Sequence, residues 1–328
     1  MKPVIARALW LEPPRHASIR DELLPECGPQ DLRVRTHYSA VSRGTETLVY
    51  RGEVPETEYA RMRAPFQAGT LPSAVKYGYA SVGVVEAGPP AWLGRTVFCL
   101  YPHQTAYVVP QTAVVAVPES VEPGRAVLAA NMETAVNALW DAAPRVGDRI
   151  SIVGAGVLGC LVASLCSRVP GVRVELVDID ADRALVARAL GVDFAVPQNA
   201  AAGRDLVFHA SASTAGLNTA LSLAGREAEI IELSWFGARP ATVALGGSFH
   251  SQRLTLRASQ VGTVAPARAA RWDHARRLAL AVSLCADPRL DVLFAPDISF
   301  EALPAAFTRL ADPVDRTLCQ RVSYLREV

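Results

Sequence analysis

The sequence predicts an α/β protein in two parts, a small antiparallel β-barrel followed by a doubly wound parallel sheet, and three observations carry that prediction. Residues 1 to about 130 consist of short β-like runs separated by Pro and Gly, the spacing of a small barrel. From about Ala126 onward helical and buried-strand patterns alternate, which is βαβ repetition and hence a parallel sheet. At the head of that second half stands Arg149-Ile-Ser-Ile-Val-Gly154-Ala-Gly156-Val-Leu-Gly159-Cys-Leu-Val-Ala, an apolar run, a three-glycine turn and a second apolar run in succession.

The barrel strands are read at Leu32-Arg-Val-Arg-Thr-His-Tyr-Ser-Ala-Val, Ser81-Val-Gly-Val-Val-Glu, Thr96-Val-Phe-Cys-Leu, Ala106-Tyr-Val-Val-Pro and Ala113-Val-Val-Ala-Val-Pro. Between Pro55 and Pro65 a helix-compatible stretch, Glu56 to Ala64, reads as a lid or as a surface excursion. Ala126 to Ala142 is an apolar helix leading through Pro144 and Gly147-Asp148 into the glycine turn. After the strand Val172 to Asp178 comes an amphipathic helix, Asp182 to Leu190, closed by Gly191. Strands follow at Leu206-Val-Phe-His-Ala, Glu229-Ile-Ile-Glu-Leu and Leu254-Thr-Leu-Arg-Ala-Ser, then a helix around Arg271 to Ala286 and a strand–helix–strand tail through Tyr324.

The glycine turn has the chemistry of a phosphate cradle. Gly154 permits the tight turn, Gly156 lets the backbone approach a pyrophosphate, and Gly159 lets the helix lie close on the strand, with Val157 and Leu158 in the first helical turn. Asp178 ends the next strand 24 positions after Gly154, where a carboxylate accepts hydrogen bonds from an adenosine ribose and repels a 2′-phosphate. The expected cofactor is therefore NAD rather than NADP, with Arg183 either covering the adenine or, in a rearranged loop, welcoming a phosphate.

Composition narrows the class. The 328 residues carry 33 basic and 32 acidic side chains, a net charge of +1, which argues against a nucleic-acid partner. No run of about 18 uncharged apolar residues exists to cross a membrane, and the N-terminus lacks a signal-peptide core, so the expectation is a cytoplasmic, unprocessed protein. The six cysteines never fall in a C-x-x-C arrangement, and they read as buried small hydrophobes.

The order of barrel, dinucleotide-type sheet and returning tail, together with Ser42-Arg-Gly44-Thr45-Glu46, Tyr77-Gly78-Tyr79-Ala-Ser-Val-Gly83-Val-Val, Glu133-Thr134-Ala135 and the turn with Asp178, resembles the medium-chain dehydrogenase/reductase superfamily over nearly the whole chain. Locally, Tyr38 to Gly52 is similar to the opening of the bacteriochlorophyllide dehydrogenase branch. The resemblance implies a GroES-like catalytic domain (1–133), a Rossmann NAD-binding domain (134–262) and a return segment completing the first (263–328), with the active site in the cleft between them and a homodimer paired through the outer edge strand at Leu254 to Ser259. Zinc members show a Cys before Gly-Thr-Asp, a Gly-His-Glu and a later Cys or Glu as ligands. Those places hold Arg43, Tyr79 with Ala80, and Glu133, and a guanidinium repels a zinc ion, so no metal is expected.

Because metal ligands converge, Arg43 and Glu133 are expected to form a charge-assisted pair where zinc would stand, either orienting a substrate oxygen or merely filling the abandoned site. Tyr79 and Thr45 are the proton-transfer candidates, and His103, on a barrel loop, is a possible further relay. Thr134, Ser211 and Ser234 are assigned to the cofactor, and His209 to a cofactor contact ahead of catalysis. His250 and His274 read as surface contacts. The resulting expectation is a metal-free, NAD-dependent oxidoreductase interconverting a secondary alcohol and its ketone. The alternatives are an NADPH-dependent quinone or enone reductase and a non-catalytic NAD(H)-binding sensor.

Overall fold

In a computed structural model that describes residues 3–325, the chain forms two compact units. One takes the chain up to Ala130 with Leu278–Pro288 and the stretch from Phe294 onward; the other takes Asn131–Arg277 with Arg289–Leu293. Strands β1 (Ile5–Glu12), β2 (His16–Leu23) and β3 (Asp31–Val41) precede helix α1 (Arg43–Arg51). Strands β4 (Ala68–Gly69), β5 (Val75–Lys76), β6 (Ser81–Ala87), β7 (Thr96–Cys99), β8 (Ala106–Pro110) and β9 (Val114–Ala116) follow. The alternating series is α2 (Ala129–Ala142), β10 (Arg149–Val153), α3 (Val157–Cys166), β11 (Arg173–Val177), α4 (Arg183–Leu190), β12 (Asp193–Ala195), β13 (Arg204–His209), α5 (Thr214–Leu223), β14 (Ala224–Glu232), α6 (Ser248–Ser251) and β15 (Thr255–Ala258). The tail holds α7 (His274–Leu284), β16 (Ile298–Ser299), α8 (Leu303–Leu310) and β17 (Gln320–Ser323).

The first unit is built on two sheets. One runs β16-β17-β3-β6-β7-β9 with β8 also on β3, the other β2-β1-β5-β4. The tail strand β17 lies antiparallel to β3, Gln320 opposite Val41 and Ser323 opposite Tyr38. Alternation explains the core: Leu32 and Val34 of β3 point inward and pack with Val97, Cys99, Tyr107 and Val109, each buried aliphatic side chain contributing roughly 1.5–3 kcal/mol. The stretch between Pro55 and Pro65 holds only a single 3₁₀ turn, Glu56–Glu58. Nine residues between prolines are too few to offset the cost of nucleating an α-helix without a packed face.

The second unit is a six-stranded sheet in the order β12-β11-β10-β13-β14-β15, parallel throughout. Its central strands are apolar on both faces, as burial between helix layers requires: Ile150, Ile152, Leu176, Val207 and Phe208 are inaccessible to solvent. The strand order reverses between β10 and β13, so the turns that leave those two strands flank the switch point where ligands bind in sheets of this kind. Helix α4 ends as read from the sequence, with Gly191 left-handed at φ 77°.

Candidate functional site

In the second unit the site grows from the turn after β10. Gly154 has φ +110°, and a Cβ there would meet Ser211 N at 2.7 Å, so the turn after β10 and the turn after β13 lie against each other only because this residue is glycine. At Gly159 a Cβ would stand 1.9 Å from the Gly154 carbonyl oxygen, which keeps α3 tight against its strand. Gly156, by contrast, is exposed and N-caps α3, with open space where its Cβ would go. Val157 and Leu158 follow it, half-buried, in the first turn of the helix. Helix α3 begins without a side-chain cap, leaving first-turn N–H groups beside that space.

Asp178 follows β11. Its Oδ2 accepts the Ala155 N–H at 2.7 Å and its Oδ1 the Asp180 N–H at 2.9 Å, so the carboxylate is clamped in orientation while each oxygen keeps a further lone pair. Next to it Ile179 stands 88% exposed. Arg183 lies 3.4 Å from Asp180, both side chains largely buried.

The turn after β13 carries a network. His209 and Glu232 are opposite residues of adjacent strands, and His209 Nδ1 lies 2.6 Å from Glu232 Oε2. His209 Nε2 lies 2.7 Å from Ser211 Oγ, which is 3.0 Å from Ser213 Oγ. Glu232 Oε1 accepts the Ser234 N–H at 2.7 Å, and Ser234 Oγ accepts the Ala212 N–H at 3.0 Å. The sequence reading singled out His209, Ser211 and Ser234 but missed Glu232. Its signal was present, because Glu232 closes the apolar Ile230-Ile231 run just as Asp178 follows the apolar Leu176-Val177 run.

Glu133 and Thr134 lie on α2. Glu133 is buried and paired through Oε1 with Arg277 Nε at 3.0 Å. Burial raises its pKa above the ordinary 4.5, and Arg277 pulls only partly against that. Arg277 is 1% exposed and also donates to Asn137 Oδ1 and to the carbonyls of Val261 and Thr263.

In the first unit Arg43 opens α1. Arg43 and Glu133, expected to pair, each have partners within their own unit: Glu133 is held by Arg277, and the Arg43 guanidinium donates to the carbonyls of Leu310, Asp312 and Thr317, 4.0 Å from Asp315. Leu310 closes α8, whose last carbonyls have no intrahelical donors, while Asp312 and Thr317 lie in the loop beyond it, and a planar guanidinium offers several N–H groups at once. Tyr79 is half-buried. Burial and then the Glu46 carboxylate push its phenol well up, and the hydroxyls of Ser42 and Thr45 pull partly back. Tyr79 is therefore a phenol, not a phenolate, at neutral pH.

His103 is not an exposed loop residue but 1% accessible. Its Nε2 lies 2.9 Å from Glu46 Oε2 and its Nδ1 2.7 Å from Ser39 Oγ, which is 3.0 Å from the Tyr324 hydroxyl. Glu46 Oε1 accepts the Ser42 N–H at 2.7 Å, tying this network to the start of α1. A Cβ on Gly78 would stand 2.9 Å from the His103 ring, so the imidazole occupies room that a glycine leaves. Ser39, Glu46 and Tyr324 were not read as site residues, since their convergence crosses 285 positions of sequence. Among the described residues no group of three or more His, Cys, Asp or Glu side chains is arranged to hold a metal ion, and no helix is long and apolar enough to cross a membrane. Five cysteines are buried, with burial pushing the thiols of Cys99, Cys160, Cys166, Cys285 and Cys319 up to about 12.

No protein-family model and no curated protein matches the sequence, but solved structures match the fold. L-idonate 5-dehydrogenase from Escherichia coli superposes with a TM-score of 0.79 at 14% identity, over 98% of this chain and 99% of that one. 2R,3R-butanediol dehydrogenase from Bacillus subtilis gives 0.77 at 14% identity, over 98% and 100%. A protein described as a short chain alcohol dehydrogenase from Escherichia coli, complexed with NADH, gives 0.75 at 17% identity, over 97% and 98%. The chain therefore has the fold of these dehydrogenases, a GroES-like barrel and a Rossmann sheet.

Proposed function

We propose that this chain is a nicotinamide-dinucleotide-dependent oxidoreductase that interconverts a secondary alcohol and its ketone. The observation that carries the reading is the turn after β10, with open space at Gly156, the bare start of α3 and Asp178 clamped beside them. These residues fit a dinucleotide: the N–H groups at the start of α3 face a pyrophosphate, the spare lone pairs of Asp178 accept ribose hydroxyls, and exposed Ile179 offers an apolar face to the base. Thr134, Ser211 and Ser234 are assigned to the nicotinamide side. NAD is favoured over NADP, because the Asp178 carboxylate repels a 2′-phosphate and Arg183 is already engaged by Asp180.

When bound, the dinucleotide supplies or accepts a hydride at its nicotinamide ring. The chain's own part is the oxygen. Tyr79, protonated at neutral pH, donates a hydrogen bond and then a proton to the carbonyl oxygen during reduction, with the Thr45 and Ser42 hydroxyls beside it. Arg43 acts as an anchor for the end of α8 rather than as a proton carrier. The places of the zinc ligands in related dehydrogenases hold a guanidinium bound to carbonyls, a neutral phenol and a carboxylate bound to arginine, a donor set that does not fit zinc. No step is routed through a metal. Strand β15 ends the sheet with β14 on one side, and this edge supports a homodimer.

NADH titration followed by turnover on parallel panels of ketones and enones tests the reading. Ketone-dependent NADH oxidation that falls about a hundred-fold in Tyr79→Phe, with NADH affinity unchanged, is expected. Binding without turnover on either panel would select the non-catalytic alternative, and enone reduction with NADPH alone would select the reductase.

A further inference from the structure

The chain contains two Ser–His–Glu arrangements, and they differ in one respect that decides what each can do. Each serine hydroxyl has a second hydroxyl 3.0 Å away, Tyr324 for Ser39 and Ser213 for Ser211, but in the first unit Ser39, His103 and Glu46 are all buried. In the second unit His209 is equally inaccessible, but Ser211 is half-buried, on the turn that leaves β13 at the ligand-binding end of the sheet. We infer that Ser211, His209 and Glu232 form a nucleophilic site that accepts the acyl group of an activated carboxylic ester.

Three features support the roles. The distances are those of a nucleophile on its base, 2.7 Å from Ser211 Oγ to His209 Nε2, and of a base on its orienting acid, 2.6 Å from His209 Nδ1 to Glu232 Oε2. The acid is itself held, since Glu232 Oε1 accepts the Ser234 N–H. A carboxylate that accepts Nδ1–H leaves Nε2 as the acceptor for the serine proton, so the tautomer is set by the partner strand. The backbone around the serine is also constrained. Ala212 has φ +51°, a left-handed conformation that a non-glycine residue adopts at a cost of about 1–3 kcal/mol, and its N–H is held by Ser234 Oγ. A Cβ on Gly216 would stand 2.1 Å from Ser211 Oγ and 3.0 Å from His209 Nε2, so glycine there makes the space for both reacting atoms. Helix α5 starts directly after, and the Thr214 and Ala215 N–H groups in its first turn have no carbonyl within the helix, which places the positive end of the helix beside an oxygen that becomes anionic.

The step balances without any further redox partner. Ser211 Oγ attacks the ester carbonyl carbon and its proton passes to His209 Nε2. The tetrahedral adduct then expels the alcohol or phenol, which takes that proton. Water repeats the sequence on the acyl-serine and releases the carboxylic acid. Ser211 and His209 are the reacting groups, and Glu232 is a positioning residue.

The test uses the full chain without any dinucleotide, so that its outcome is independent of the dehydrogenase reading. p-Nitrophenyl acetate is mixed with the protein, p-nitrophenolate release is followed, and the acetylated peptide is located by mass spectrometry. A burst of about one equivalent with the acetyl group on Ser211 is expected. Ser211→Ala loses both, and His209→Gln slows acylation by about 10²–10⁴-fold, while Ser222→Ala, an exposed helix serine, retains them. Glu232→Gln slows acylation, and Glu232→Asp recovers part of the rate. Where Ser211→Ala fails to fold, the location of the acetyl group in the unsubstituted protein decides. No burst, acetylation elsewhere, or an unchanged burst in Ser211→Ala overturns the proposal.

Discussion

Replacing Arg277 by Met leaves the Glu133 carboxylate buried without its counter-ion. In the structure Arg277 is 1% exposed and Glu133 is 5% exposed, and the guanidinium also satisfies Asn137 Oδ1 and two carbonyls. Removing one partner of such a pair costs about 3–5 kcal/mol. With a urea dependence of roughly 3 kcal/mol per molar, the midpoint of the unit that holds Arg277 falls by on the order of 1 M. The rings of Trp140 and Trp272, whose centroids are 4.8 Å apart in that unit, report the transition by fluorescence. The pH dependence has a definite sign. Glu133 already has a raised pKa because burial outweighs Arg277, so its contribution to stability is fully present below the unfolded value and is lost as pH rises through the folded one. Without Arg277 the folded pKa rises further, and the defect of the variant grows as pH climbs above the parent's already raised folded value. Glu133→Gln in the Arg277→Met background removes the uncompensated charge and recovers much of the loss. A single variant within about 1 kcal/mol of the parent at pH 8, or a double variant no better than the single, would refute the reasoning.

Four other substitutions separate the fold from the cofactor site. Gly156→Ala meets no atom within 4 Å and leaves stability unchanged, yet it fills the space assigned to the pyrophosphate and weakens NADH binding, whereas Gly159→Ala meets a carbonyl oxygen at 1.9 Å and unfolds at a lower temperature; NADH fluorescence titration and thermal melting distinguish the two. Asp178→Asn keeps an acceptor for the Ala155 N–H but removes the charge, and the ratio of NADPH to NADH affinity rises roughly ten-fold, about 1.4 kcal/mol. Arg43→Ala exposes the carbonyls at the end of α8 and lowers the stability of its own unit by about 1–3 kcal/mol; an unchanged melting curve would show that these hydrogen bonds are dispensable.

Much of this was legible in the chain before any coordinates. Glycine needs are local, so Gly154, Gly156 and Gly159 announced the turn after β10, and periodicity announced the strands on both sides of it. Asp178 was legible for the same reason, since it ends a strand whose partner the turn already identified. Partnerships between distant residues were not legible in this way. Arg43 and Glu133 were paired by reasoning from a ligand set, but ion pairs form where packing leaves unsatisfied groups, and the nearest such groups were the carbonyls closing α8 for one and Arg277 for the other. His103 was read as a relay without named partners, because Ser39 and Glu46 lie more than fifty positions away.

The sequence by itself determined the order of elements, the parallel sheet and the glycine turn after β10, because backbone conformation and hydrophobic period are properties of short stretches. Only the tertiary structure decided which polar side chains meet. That Glu232 stands beside His209, and His209 beside Ser211, follows from strand register and the approach of two turns across Gly154, neither of which a linear pattern records.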